Sequence, residues 1–267
     1  MANKYSGIID SITWSHSSLA LYNQCPYAWF LKYIYRKPAV QNISAEFGKL
    51  IHSAIEEYFT NKTDLSVLSA SFIKDFSSFC VRSDVRPEDT IHYIRIGTNY
   101  IKNLKSSDLS RYIDDKSICG IEKKEYFFVN GYRFVGIIDM LLNDSDKKII
   151  LDHKSYSLQN VTSGKAVGKY IDLHKYLIQQ YLYAECVKQN FGEYPSQIAF
   201  NCFKKEDNQI VEVDFNYIDL AISKEWATST IERIKDEDNW EHRRDYWFCR
   251  HICGYRFSCE YSDIRRK

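Results

Sequence analysis

The sequence predicts an α/β fold with a mixed central sheet flanked by helices, and three observations carry that expectation. Asn130-Gly131 joins two extended runs, Ile118 to Val129 and Tyr132 to Leu142, which is the signature of a type I′ hairpin. A second hairpin follows, in which Gly136-Ile-Ile-Asp139-Met-Leu-Leu and Lys147-Lys-Ile-Ile-Leu-Asp152-His-Lys154 flank the polar turn Asn143-Asp144-Ser145-Asp146. A helical stretch from Asp172 to Asn190 then separates this sheet from a further strand, Gln197 to Phe203, and an intervening helix suits a parallel pairing.

The remaining elements take their places around that sheet. Ser15 to Ser18 offer helix N-caps ahead of Leu19-Ala-Leu21, and Pro26 interrupts the pattern so that Cys25 sits at a helix end. A second amphipathic piece starts at Tyr27, and a long helix is expected from Ala45 to Phe59. Residues 61–117 read as a helical insertion within a single domain, with Pro87 opening a fresh helix. A mobile loop is expected over 155–171, then a strand from Ile210 to Phe215 and a helix from Tyr217 to Asp238.

Bulk properties set limits on function. With 267 residues the chain can bury a substantial core, and its net charge of +1 leaves any nucleic-acid contact to local patches. The N-terminal residues lack the charged and apolar regions of a signal peptide, and no run approaches the roughly 18–20 apolar residues that span a bilayer. A cytoplasmic protein without a membrane partner is expected. In that compartment eight cysteines argue for metal or cluster ligation rather than disulfides. The 21 tyrosines suit half-buried core and edge positions, and some suit base stacking.

The second hairpin carries the chemistry. Centring its turn between Ser145 and Asp146 sets Asp139 opposite Asp152, and opposed side chains have Cβ atoms roughly 4.5–5.5 Å apart. Two like charges among Ile and Leu repel strongly, and a hard divalent cation such as Mg²⁺ or Mn²⁺ would offset that repulsion. Lys154, two residues past Asp152, shares its face and would aim an ammonium at whatever the metal holds, the arrangement of metal-assisted phosphodiester hydrolysis. A surface hairpin with scattered charges is the plain alternative. Gly48, His52 and Glu56 recur at helical spacing, so His52 can complete a metal site, with Glu56 a turn away as an orienting or additional carboxylate. Gln179 and Tyr183 share a face of the 172–190 helix and can hold a phosphate or a water. Lys165 and Lys169 in the expected loop, and Lys204 and Lys205 at a turn, are candidate DNA contacts. In the tail, Cys249, Cys253 and Cys259 lie within eleven residues rich in arginine and aromatics, which suits an iron-sulfur cluster or Zn²⁺, with Cys25 as the candidate fourth ligand.

Taken together these residues resemble the RecB-like branch of the PD-(D/E)XK nuclease superfamily, in particular its CRISPR-associated and AddB-type members that carry a [4Fe-4S] cluster. The resemblance rests on Cys25-Pro26, Gly48 to His52, Gly136 to Asp139, Asp152 to Lys154 and Gln179 to Tyr183, in that order, followed by the cysteine triplet. It implies a restriction-endonuclease-like core, one- or two-metal hydrolysis of DNA, and His52, Asp139, Asp152 and the carbonyl of His153 as metal ligands. A DNA exonuclease acting on single strands or ends is the leading expectation, with a helicase or a recombination or CRISPR protein as partner. The competing class is a catalytically silent DNA-binding or assembly subunit in recombination or CRISPR adaptation, and a zinc-stapled interaction module is a third. Every motif residue is present, which favours the enzyme. One departure is that three residues separate Cys249 from Cys253 where the family has two, which leaves open a zinc site and His251 as a substitute ligand.

Overall fold

The architecture is that of a computed structural model, which describes residues 4–155, 167–203, 209–262 and 264, the side chains of 167–175 and 209 excepted. In chain order, α1 (Ser6–Ile9), α2 (His16–Gln24) and α3 (Pro26–Tyr33) precede the long α4 (Ile43–Asn61). Next come α5 (Leu65–Arg82), α6 (Pro87–Lys102), a 3-10 turn at Leu104–Ser106 and α7 (Asp108–Ile113). The sheet strands β1 (Ser117–Val129), β2 (Tyr132–Asp144) and β3 (Lys147–Lys154) lead into α8 (Val167–Phe191), β4 (Gln197–Cys202), β5 (Gln209–Asp214) and α9 (Tyr217–Asp236). The five strands lie in sequence order, with β2–β3 and β4–β5 antiparallel and β3–β4 parallel, so the sheet is mixed as the intervening helix requires. None of the described helices is long and apolar enough to cross a membrane.

The chain divides into two compact units. One comprises residues 43–125 and 137–216, the other residues 1–42, 126–136 and 217–267. In the first, α4 to α7 cover one face of the sheet: Phe47, Ile51, Ile55, Phe72, Phe76, Tyr100 and Ile101 pack with Met140, Leu142, Ile149 and Leu151 in one buried cluster. Each such side chain contributes about 1.5–3 kcal/mol on burial. Helices of the 61–117 segment thus contribute core residues to this unit. Ile138 and Leu141 line a small cavity with Cys186 and Val187 of α8.

The second unit gathers three separated stretches of chain. Ser15 caps α2 in a reciprocal box with Ser18. Trp29 stacks on Trp240 at 5.2 Å and on Trp14 at 6.4 Å. Trp14 also bridges to the first hairpin, its N–H donating to Arg133 O at 2.9 Å while its carbonyl accepts from Val135 N at 2.8 Å. That hairpin turns at Asn130 and Gly131, with φ of 47° and 85°, as a type I′ turn demands.

One expectation is corrected here. A loop was expected over 155–171, whereas α8 begins at Val167 and includes Gly168 and Lys169. The reason is positional: Gly168 falls in the first helical turn, where backbone N–H groups have no intrahelical acceptor and a glycine costs the helix least.

Candidate metal centre and cysteine cluster

Register places the two acids. The β2–β3 ladder runs from Asp144↔Lys147 to Met140↔Leu151, so Asp139 and Asp152 come next along the two strands. Ser145 and Asp146, with φ of 48° and 76°, make the turn that fixes this register. Asp139 Oδ2 accepts the His153 N–H at 2.7 Å. Asp152 is 2% exposed; Gln180 Nε2 donates to its Oδ1 at 2.8 Å, and Lys154 Nζ lies 2.5 Å from its Oδ2. The Tyr176 ring lies 5.7 Å from the same ammonium.

Helix α4 brings His52 to this point. Its Nδ1 is 2.9 Å from Glu122 Oε1 and 3.6 Å from Asp139 Oδ2, while its Nε2 is 3.2 Å from the His153 carbonyl oxygen. Glu122 reaches the histidine through a break in strand phase. Its φ is 47°, left-handed backbone inside a strand. Two adjacent residues consequently turn to the α4 face: Ile121 packs against the α4–α7 core and Glu122 meets His52. Side chains in a regular strand would alternate, and a bulge is the usual device for aiming one into a site. Behind that carbonyl, the buried His153 ring is held by Asn201, whose Nδ2 donates to His153 Nδ1 at 3.1 Å and to the Tyr100 hydroxyl at 3.0 Å.

The electrostatics are those of a site with excess negative charge. Burial, reinforced by the charge of Asp152, pushes the Asp139 carboxyl up to about 7. Burial works against a charged His52, yet the hydrogen bond to Glu122 and the charges of Asp139, Glu122 and Asp152 outweigh it and raise that imidazole to about 9. Lys154 is raised too: burial opposes its charge, but Asp152 and Asp139 hold the proton on. Burial keeps the His153 side chain neutral, its value well below the ordinary one. Burial also raises Glu56, with Glu122 and Glu57 adding to the effect.

These residues fit a divalent cation. The ligand atoms of His52, Glu122 and Asp139 lie within 4.8 Å of one another. The 3.2 Å from His52 Nε2 to the His153 carbonyl is close to the edge of an octahedron with bonds of about 2.1 Å, about 3.0 Å. Carboxylate, carbonyl and imidazole form the donor set of Mg²⁺ or Mn²⁺ rather than of a soft metal.

Among the residues singled out from the sequence, His52, Asp139, Asp152, His153 and Lys154 come together. Glu56 lies near enough to Glu122 for each charge to act on the other. Gln179 Nε2 donates to Tyr183 OH at 3.1 Å, and burial raises the Tyr183 phenol to about 12, with Asp139 and Asp152 among the charges it feels. Lys165, Lys204 and Lys205 lie outside the described residues, as does the side chain of Lys169. Sequence reasoning missed Glu122 and Gln180. The spacing of Tyr176 and Gln180, one helical turn apart, was a signal for the second; for Glu122 no periodic signal exists, because a bulge breaks the period.

The cysteines meet in the other unit. Cys25 ends α2 and caps α3, its Sγ accepting the Ala28 N–H at 3.4 Å, with Pro26 at the first helical position. Cys25, Cys249, Cys253 and Cys259 line one cavity of about 30 Å³ with Tyr27, Leu31 and Tyr255. Burial, with Cys25, Cys259 and Cys249 adding like charge, pushes the Cys253 thiol up to about 11; Cys259 is raised by burial, with Cys25, Cys249 and Glu260 adding to it. Gly254 fixes the loop between them: its carbonyl accepts the Val40 N–H at 2.7 Å, and an added Cβ would meet Ala39 at 2.8 Å. His251 is exposed and does not line the cavity.

Comparison with known proteins gives the fold and the family. No curated protein matches the sequence. Among solved structures, a "Putative exonuclease" from Eubacterium rectale shares the fold with a TM-score of 0.54 at 16% identity, over 87% of this chain and 84% of its own. A second structure, SSO0001, aligns with a TM-score of 0.40 at 13% identity over 94% and 86% of the two chains. The sequence matches the PD-(D/E)XK nuclease superfamily over residues 13–260, and with Asp139, Asp152 and Lys154 gathered at the end of one hairpin, the chain belongs to that superfamily.

Proposed function

We propose that this protein is a metal-dependent DNA exonuclease of the RecB-like, AddB-type branch, acting on single strands or DNA ends, with a structural [4Fe-4S] cluster. The observation that carries the reading is the convergence of His52, Asp139, Asp152 and Lys154, with no member of the set replaced. His52 Nε2, the His153 carbonyl, Asp139 and Asp152 would hold Mg²⁺ or Mn²⁺, which when bound supplies Lewis acidity toward a phosphodiester and a more acidic water. Gln180 orients Asp152, and Glu122, accepting a hydrogen bond from His52 Nδ1–H, would leave Nε2 for the metal. Lys154 keeps its ammonium where negative charge grows on the phosphate oxygens during attack. Gln179 and Tyr183 offer an amide and a phenol to the phosphate or the attacking water.

For the cluster, the reading rests on the resemblance to the branch and on Cys25, Cys249, Cys253 and Cys259 lining one cavity; Zn²⁺ is the alternative occupant of the same four thiols. Neither a role in recombination or CRISPR adaptation nor a helicase partner is needed for the chemistry; both are the contexts the branch implies.

The test is cleavage of end-labelled single- and double-stranded oligonucleotides with Mg²⁺ or Mn²⁺. Mononucleotides released from one end are expected, and nothing in chelator. Binding without cleavage in either metal would leave the silent DNA-binding subunit as the reading.

A further inference from the structure

Behind the metal centre two neutral polar side chains are buried. His153 of β3 and Asn201 of β4 stand side by side in the parallel ladder, 3% and 0% exposed, with Asn201 between the buried Phe200 and Cys202. The pair is a costly choice for stability. Among the described residues Asn201 Oδ1 and His153 Nε2 are buried without a hydrogen-bond partner, and an apolar pair of the same shape would spare the fold that desolvation.

What the two side chains touch supplies another reason for them. The β2–β3 ladder runs only to Met140↔Leu151, so the His153 peptide lies beyond it, with its N–H on Asp139 and its carbonyl oxygen 3.2 Å from His52 Nε2. The side chain of the same residue is tied on the β4 side, where the Asn201 amide donates both to its Nδ1 and to the hydroxyl of Tyr100 on α6. Aromatic contacts close the circuit. The His153 ring stands nearly perpendicular to the His52 ring with centres 5.3 Å apart, His52 meets Phe203 at 6.3 Å, and Phe203 meets Tyr100 at 5.3 Å. Both atoms of the 3.2 Å pair, the carbonyl oxygen of His153 and the Nε2 of His52, thus depend on the orientation of one ring, and that ring is held by one amide.

We propose that Asn201 is a positioning residue of the metal centre, that Tyr100 holds its amide in place, and that the two fix the spacing of the His153 carbonyl and His52 Nε2 through the His153 ring. The role rests on the metal-centre reading above and adds a selectivity to it. Mg²⁺ demands near-ideal octahedral geometry, whereas Ca²⁺ accepts longer bonds and irregular angles, so loosening the pair penalises Mg²⁺ more than Ca²⁺. Loss of a partner that orients a metal ligand typically costs 10- to 100-fold in affinity.

The experiment measures Mg²⁺ and Ca²⁺ binding by calorimetry on the full chain, freed of divalent metal by dialysis, without DNA. Asn201→Leu should weaken Mg²⁺ binding by about tenfold or more and Ca²⁺ binding by less, so that the ratio of the two dissociation constants rises. Tyr100→Phe, which removes a single oxygen, should move the ratio the same way by a smaller factor and should add nothing on the Asn201→Leu background, since it acts through the same amide. A purely structural pair would change the melting temperature and leave the ratio where it was. Wild-type affinities and ratio in both variants would therefore overturn the positioning role and leave the nuclease reading standing. A wild type that binds both ions, shows these losses in its variants and cuts no DNA would do the reverse; one that binds neither ion would overturn both. Should Asn201→Leu not fold, Tyr100→Phe decides alone: a raised ratio supports the role, and an unchanged one overturns it.

Discussion

Replacing Asp139 by asparagine should stabilise the protein in the absence of metal and destabilise it relative to wild type in its presence. The side chain is 11% exposed and its carboxyl is pushed from 3.8 to about 7, by burial first and the charge of Asp152 second. A folded-state value above the unfolded one means that the native protein holds a proton the unfolded chain has lost between about pH 4 and 7. Stability therefore falls as pH rises through that window, and the loss is complete above 7. A shift of about three units corresponds to about 4 kcal/mol at ~1.36 kcal/mol per unit, of which roughly half develops between about pH 5.5 and 8.5. Asparagine is nearly the same shape, and its Oδ1 can still accept the His153 N–H. Urea unfolding in EDTA at these two pH values should show the Asp139→Asn variant ahead of wild type, its advantage growing by roughly 2 kcal/mol at the higher pH. Adding Mn²⁺ should reverse the order, because only the wild type gains binding free energy. A pH-independent difference, or an Asp139→Asn protein that Mn²⁺ stabilises as much as wild type, would refute the account of two buried acids awaiting a cation.

Three further outcomes follow from the same geometry. Lys154→Ala should remove most turnover while calorimetry still detects Mn²⁺ binding, and Lys154→Arg should rescue poorly because a planar fork does not reproduce a point charge beside Asp152; near-normal turnover in the alanine variant would make Lys154 a bystander. Because a cation must displace the protons that His52, raised to about 9, and Asp139, raised to about 7, hold at neutral pH, Mn²⁺ affinity should climb with pH across that interval and release protons on binding, measurable by calorimetry in buffers of different ionisation enthalpy. Cys25→Ala should lower iron content and melting temperature together, whereas Cys80→Ala and Cys202→Ala, buried outside the cysteine cavity, should keep full iron; the opposite pattern would mean a different ligand set.

The second hairpin was legible from sequence because its information is local. A period of two and a turn of residues that tolerate positive φ fix the register, and the register sets Asp139 and Asp152 side by side. The parallel β3–β4 pair was legible for a related reason, since a crossover helix leaves few alternatives. Glu122 was not, because its placement depends on one left-handed residue inside a strand, and bulges obey no period. The same limit holds on a helix: neighbours differ by about 100° in direction, and only packing decides that Gln180 is the one on Asp152. The start of α8 was misplaced because two glycines read as loop, although a first helical turn tolerates one.

The threading of the chain through its two units orders its maturation in time. Every residue of the metal-site unit precedes Tyr217, whereas the cysteine unit needs Cys249, Cys253 and Cys259 as well as Cys25. At ~5–20 residues per second, a ribosome takes several seconds between delivering the last residue of the first unit and the last thiol of the second. During that interval the hydrolytic residues are all available while Cys25 and the Trp14–Trp29 stack wait for their C-terminal partners. On the proposed function, the cysteine site is therefore completed only after every residue of the metal centre has been synthesised.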